Sequence, residues 1–273
     1  MWGAVIGDII GSTFESENNR TPFFELYRGN ARFTDDTVCT AAIADILQKN
    51  DWSKNNHESI SDQLRLWCCT YLNRGFGSMF QQWITSAVNT PYNSYGNGAL
   101  MRISPVAKYA IVNELSKEKA IEIAKQITEV THNHDDAILA VSIYIEILHE
   151  LFSQKNKTLT EKKEIIINIL NKNNYPLPKK ILEYRVSMDF DLTSETSLLI
   201  AIAAILETDT FEDVFYQVVS AGGDSDTYAT IAGAIAESIY GISAEDIMKI
   251  RPYFRNYDED ILLSIERLYS KKK

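Results

Sequence analysis

Apolar residues recur at the helical period over most of the chain. From Thr37 to Gln48, Val38, Ala41, Ala42 and Ile46 form one stripe, with Asp45 at the same spacing. Lys117–Val130 repeats the pattern with Ala120, Ile123, Ala124 and Ile127. Asp135–Phe152 does so with Ile138, Val141, Ile145, Leu148 and Phe152. The same spacing predicts helices over Ser59–Asn73, Glu161–Asn171, Glu195–Glu207, Phe211–Ser220, Thr227–Tyr240 and Asp258–Tyr269. Glu195–Glu207 and Thr227–Tyr240 are Ala-rich and apolar on nearly every side, which places them in the middle of a bundle. Strand-like alternation is scarce, so the expected fold is all-α.

Glycine and proline punctuate the chain without dividing it. They gather at Pro91–Gly98, Pro176–Pro178 and Gly222-Gly223, and no flexible linker or repeat separates two cores. One multi-helix domain over 1–273 is expected, with the polar stretch Gln154–Pro178 as a surface excursion. The longest strongly apolar run, Leu198–Leu206, falls far short of the roughly 18–20 residues of a membrane span. Asp8 interrupts the apolar start, which has no basic leader, and Lys271–Lys273 reads as a solvated tail. Cys39, Cys68 and Cys69 form neither a disulfide framework nor a Cys-x-x-Cys zinc site. These features fit a cytoplasmic protein. A net charge of −10 argues against a general nucleic-acid partner, yet leaves room for one nucleotide-sized anion.

Three segments set oxygen-bearing side chains beside a helix start. They are Phe33-Thr34-Asp35-Asp36-Thr37, Gly222-Gly223-Asp224-Ser225-Asp226-Thr227, and Gly7-Asp8 through Gly11 to Glu15. Helix capping explains some of this, because Thr, Ser and Asp are good N-caps and acids suit the first turn. It explains Asp224 and Asp226 less well. Carboxylates two apart on a regular helix point about 200° from each other, whereas a turn behind two glycines lets them converge. Asp35, Asp36, Asp224 and Asp226 together would repel strongly without a cation. An all-oxygen set, with Thr34 and Thr227 as further donors, suits Mg²⁺ or Mn²⁺ rather than Zn²⁺. It has room for two ions about 3.5–4 Å apart.

Phe-Thr-Asp-Asp-Thr followed about 190 residues later by Gly-Gly-Asp-Ser-Asp-Thr resembles the metal signatures of the ADP-ribosylglycohydrolase family. Three other segments are similar to that family's motifs. Gly7-Asp8, Gly11 and Glu15 resemble its N-terminal segment, whose Glu is implicated in catalysis. Asn93–Arg102 resembles its substrate-diphosphate loop, and Thr131-His132-Asn133-His134 its Thr-His motif. The resemblance runs from Gly3 to about Gly241. It implies an all-α fold and a site for two Mg²⁺ (or Mn²⁺) ions. The implied ligands are Thr34, Asp35, Asp36, Asp224, Asp226 and Thr227. Ser225 stands where the family usually has Thr, and Asp135 where it often has Pro; neither change removes a ligand.

The implied reaction is hydrolysis of the C1″ glycosidic bond of an ADP-ribosylated protein or small molecule, with ADP-ribose as product. Glu15 is the candidate general acid/base, with Asp35 and Asp36 next. Ser94, Tyr95, Gly96, Asn97 and Gly98 are the candidate diphosphate and base contacts, and His132 a further substrate contact. The glycines at 96 and 98 would let the backbone approach an anion closely. The Cys68-Cys69 pair and Trp2, Trp52, Trp67 and Trp83 read as packing residues. Two rivals differ in kind. A catalytically weak ADP-ribose-binding member would keep the fold without turnover. A His-Asp metal phosphohydrolase, built on His134-Asp135 and His57, leaves both acidic loops without a purpose. The acceptor bearing the ADP-ribose is not legible in the sequence.

Overall fold

The computed structural model describes residues 1–86, 88–187 and 191–271. In chain order these form α1 (Trp2–Gly11), α2 (Asp35–Lys49), α3 (His57–Thr70), α4 (Ser78–Thr85), α5 (Pro105–Val112), α6 (Lys117–Glu129) and α7 (Asp135–Ser153). They continue with α8 (Leu159–Lys172), α9 (Ile181–Val186), α10 (Ser194–Leu206), α11 (Phe211–Val219), α12 (Ser225–Tyr240), α13 (Ala244–Ile250) and α14 (Glu259–Arg267). No strand occurs among the described residues; a single bridge joins Gly96 to Thr193. The fold is the expected all-α bundle. Lys272 and Lys273 of the tail lie outside the described residues.

The two all-apolar stretches are innermost, as their composition requires. Nearly every side chain of α10 and α12 is buried, and α12 packs on α1, α7, α10 and α11. The tightest seam joins α12 to α1. A Cβ on Gly3 would stand 2.1 Å from the Gly233 carbonyl, and one on Gly7 2.0 Å from the Ala229 carbonyl. One on Gly11 would stand 2.4 Å from Asp226 Cα. Glycine at every fourth position thus lets the two backbones touch. The seam aims the end of α1 and the start of α12 at one place.

Several elements differ from expectation. Trp2–Gly11 is helical although it shows no polar face, because α1 is buried on all sides and so offers no amphipathic period. Asp8, which interrupts the apolar run in sequence, is wholly buried and satisfied by hydrogen bonds. Gln154–Pro178 is no excursion: α8 docks on α7, burying Ile166, Ile169 and Leu170, and Lys162 donates to the Ile239 carbonyl. α12 begins at Ser225 rather than Thr227, so Asp226 lies in its first turn. Helices α4, α5, α9 and α13 are short and were not evident from periodicity. Of the cysteine pair, Cys68 packs and Cys69 is exposed. Trp2, Trp52 and Trp83 are buried and Trp67 partly so.

Candidate active site

The starts of α2 and α12 meet across the core. Asp36 Oδ2 lies 3.4 Å from both Thr34 Oγ1 and Thr227 Oγ1, which joins the two loops through one carboxylate. Thr34 is a true N-cap, its hydroxyl accepting the Asp36 N–H. Asp224, at the cap position of α12, makes no capping bond; its Oδ2 instead accepts from Asn97 Nδ2 at 2.7 Å. Capping therefore accounts for Thr34 and not for Asp224. Oxygens of Glu15, Asp224 and Asp226 lie within 4.8 Å of one another.

Electrostatics make this floor costly. Burial, then neighbouring Asp8, Asp35 and Asp224, drive Asp36 well above the usual carboxylate range. Asp226 rises for the same reason, through burial and then Asp224 and Asp36. Asp35 is pushed up to about 8 by burial and then by Asp8 and Asp224. Glu15 is exposed as a residue, but its carboxyl is also raised, by desolvation and then by Asp224, partly offset by Arg32. Asp36 Oδ1 is buried with no hydrogen-bond partner. An orphaned acceptor among converging carboxylates and two threonine hydroxyls fits a hard divalent cation.

Supports for this floor come from residues that motif reading passed over. Asp8 accepts from the Thr34 N–H at 2.8 Å, Thr34 Oγ1 at 2.7 Å, the Thr37 N–H at 3.1 Å and Thr37 Oγ1 at 2.5 Å. It holds the first turn of α2 in place. Asn18 Oδ1 accepts the Gly223 N–H, and Arg20 Nη1 donates to the carbonyls of Ala221, Tyr184, Arg185 and Ser187. The segment after Glu15 is thereby clamped to the Gly222–Asp224 loop. Ser225 turns away from the floor and donates to the Gly11 carbonyl, so the hydroxyl that replaces the family's Thr is a seam contact.

Above the floor opens a cleft of about 400 Å³. Its lining includes Glu15, Thr34, Asp35, Asp36, Asp224, Asp226 and Thr227 together with Ser94, Gly96, Asn97, Gly98 and His132. Met79, Phe80 and Tyr92 supply an apolar portion, and the Arg74–Gly77 loop closes over Asp35, whose N–H donates to the Arg74 carbonyl. This is an arrangement for a ligand part sugar or phosphate, part aromatic.

A family model described as ADP-ribosylglycohydrolase matches residues 1–248. The chain belongs to the ADP-ribosylglycohydrolase family. It is 21% identical to "ADP-ribosylarginine hydrolase Tri1" of Pseudomonas putida (strain GB-1), covering 89% of this chain and 70% of that protein. It is 24% identical to "ADP-ribosyl-[dinitrogen reductase] glycohydrolase" of Rhodospirillum rubrum, covering 88% and 84%. Among solved structures, an "ADP-ribosylglycohydrolase-related protein complex" superposes with a TM-score of 0.69 at 18% identity, over 98% of this chain and 94% of that one. Membership supports glycohydrolase chemistry on ADP-ribosyl linkages in general.

All but one of the candidate site residues line this single cleft. Tyr95 is the outlier: it is 54% exposed, outside the cleft lining, with its ring edge-on to His134. The Asn97 side chain is committed to Asp224 and Ser197. Two loop amides are already engaged, Gly96 N–H by Ser94 Oγ and Asn97 N–H by the Leu192 carbonyl. His134 caps α7 by accepting the Asp136 N–H, and the acidic group that could hold a metal among the described residues contains no histidine. That removes the footing of the His-Asp phosphohydrolase reading. No helix of the described residues is long and apolar enough to cross a membrane.

Proposed function

We propose that this family member hydrolyses the C1″ glycosidic bond of an ADP-ribosylated protein or small molecule and releases ADP-ribose. The observation that carries the reading is the junction of the α2 and α12 loops through Asp36, facing Glu15 at the floor of a cleft that Ser94, Gly96, Asn97, Gly98 and His132 also line. Thr34, Asp35, Asp36, Asp224, Asp226 and Thr227 would hold two Mg²⁺ or Mn²⁺ ions. Bound there, such ions supply positive charge that neutralises the carboxylates and polarises ribose hydroxyls.

The chain's own residues supply the rest. The backbone at Ser94–Gly98 and the imidazole of His132 receive the diphosphate. Glu15 stands close enough to the floor to serve the anomeric carbon, and its raised pKa suits a group that both takes and gives a proton. Water adds to C1″ as the bond to the acceptor breaks, through an oxocarbenium-like transition state. The water's proton goes to a carboxylate and the departing acceptor receives one. Burial of the floor limits competing solvent.

The test is release of ADP-ribose from ADP-ribosylated arginine, ADP-ribosylated serine and O-acetyl-ADP-ribose, each with EDTA, Mg²⁺, Mn²⁺ or Zn²⁺. Turnover on one of the panel with Mg²⁺ or Mn²⁺, lost in EDTA and not restored by Zn²⁺, is expected. Full turnover after exhaustive chelation would discard the metal assignment. Tight ADP-ribose binding with no turnover on any substrate would replace the hydrolase with a binding protein.

A further inference from the structure

Arg102 is the largest fully buried side chain of the protein, 1% exposed, and it lines the cleft. A buried guanidinium is costly unless its donors are satisfied. Among the described residues Arg102 Nε has no partner, while Nη2 donates to Thr131 Oγ1 at 2.5 Å. Thr131 is itself buried, and its Oγ1 lies 2.8 Å from Nδ1 of His132.

The order of donors in this chain follows from what each group can do. A guanidinium carries only donors, so Thr131 Oγ1 accepts in the first bond. The hydroxyl has one proton and a second lone pair, so it could give to Nδ1 or take from it. Taking would leave the proton of this fully buried hydroxyl without an acceptor among the described hydrogen bonds, whereas giving it to Nδ1 satisfies both atoms. To accept, Nδ1 must be bare, and the single proton of a neutral imidazole then sits on Nε2. Nε2 faces the substrate loop: a Cβ on Gly98 would stand 3.1 Å from it.

The surroundings agree. Tyr92 meets the imidazole edge-on at 5.7 Å between ring centroids, and its phenol neighbours Thr131. Arg102 is the charged group that acts on the imidazole. Burial and then that cation hold His132 well below the usual histidine range, so it stays neutral.

We propose that Arg102 and Thr131 are positioning residues that lock His132 as the neutral, Nε2-protonated tautomer, a fixed donor to an acceptor oxygen of the ligand beside Gly98. His132 then takes no part in proton transfer, which leaves that task to the carboxylates of the floor. The ligand side of this inference rests on the cleft being an ADP-ribose site; the tautomer does not. A buried charge is used here as a direction: the cation takes one lone pair of the hydroxyl and leaves its proton for Nδ1.

Histidine-selective ¹⁵N NMR on the whole protein tests it, with the His132 signals identified by their loss in His132→Asn. The expected pattern is an unprotonated Nδ1 and a protonated Nε2, unchanged from about pH 5 to about pH 9. Thr131→Val should disturb that pattern and weaken ADP-ribose binding about tenfold, the usual scale for one lost hydrogen bond. Thr131→Ser should restore both. A protonated Nδ1, or titration of His132 within that window, overturns the lock, and so does Thr131→Val with unchanged signals and affinity. The wild-type spectrum decides the tautomer even if Thr131→Val fails to fold. A locked tautomer in a protein that does not bind ADP-ribose would keep the lock and discard the ligand assignment.

Discussion

Two parts of the cleft handle buried charge in opposite ways. On the floor, Asp35, Asp36 and Asp226 crowd like charges together and Asp36 Oδ1 is left without a partner. Elsewhere in the cleft a buried cation, Arg102, donates to a neutral hydroxyl that in turn meets the imidazole of His132. On the proposed reading, a bound cation would relieve the floor's repulsion, while the charge of Arg102 goes to orientation within the protein. A site for an exchangeable cation would then sit beside one whose protonation is held constant.

The largest expected effect comes from breaking the floor. Asp226→Ala should abolish divalent-cation binding and turnover together, while circular dichroism shows the helices intact. Because Asp226 is buried among like charges, the metal-free variant should melt no lower than the metal-free parent at pH 8. Retained activity with a small loss would remove Asp226 from the metal site; loss of fold would return it to capping.

Next is Glu15, the rim carboxyl. Glu15→Gln should lower kcat by about 10²-fold or more, the scale of a lost general acid/base. ADP-ribose affinity should change little, since the diphosphate side is untouched. Metal stoichiometry, measured on the same preparation, sharpens the result. Near-normal turnover would move proton transfer to Asp35 or Asp36, and lost metal would make Glu15 a ligand, as its closeness to Asp224 and Asp226 permits.

A smaller effect belongs to the contact that joins the Ser94–Gly98 loop to the floor. Asn97→Ala frees Asp224 from its 2.7 Å bond. Partners that orient a metal ligand are worth about 10–100-fold in metal affinity, so titration calorimetry should show a loss near the lower end, with His132 signals unmoved. Equal loss of ADP-ribose affinity without metal would place Asn97 among the direct substrate contacts.

The smallest effect is a pH dependence of stability. Asp35 is raised from the ordinary carboxylate value to about 8, and Asp36 and Asp226 are raised as well. The folded metal-free protein therefore binds more protons than the unfolded chain between the ordinary value and those raised ones, and its stability falls as pH rises through that window. The melting temperature of the metal-free form should drop by a few degrees, on the order of 2–3 °C per kcal/mol for a domain this size, between pH 5 and pH 9. Saturating Mg²⁺ should flatten the slope. A metal-free melting temperature that climbs with pH would refute the crowding of the floor.

Much of this was legible in the chain. The all-apolar Glu195–Glu207 and Thr227–Tyr240 stretches became the inner helices, and the two Asp loops meet as the family resemblance implied. What stayed hidden depends on contacts far apart in sequence. Asp8 read as a break in an apolar run, and only the approach of Thr34 and Thr37 makes it a support. Arg102 and Thr131 stood in motifs as neighbours of more conspicuous residues; 29 positions separate them. Arg20, which ties four carbonyls, had no motif at all. The one usable signal was the glycine at every fourth position of the first helix, which marks a backbone that must be approached closely.

That glycine seam also sets an order of events during synthesis. The Gly11 carbonyl meets the Ser225 hydroxyl 214 residues later in the chain. At about 5–20 residues per second, α1 emerges roughly 10–40 s before its partner helix is made. For that interval the face of α1 that meets α12 stays uncovered, although α2 can already pack against the helix. The acidic floor at the end of the seam cannot assemble until α12 arrives, so a ribosome-bound chain would bind no metal until nearly the whole bundle is made. Delayed closure leaves one face of an apolar helix exposed, and it also keeps the carboxylates of the floor apart in any half-built state.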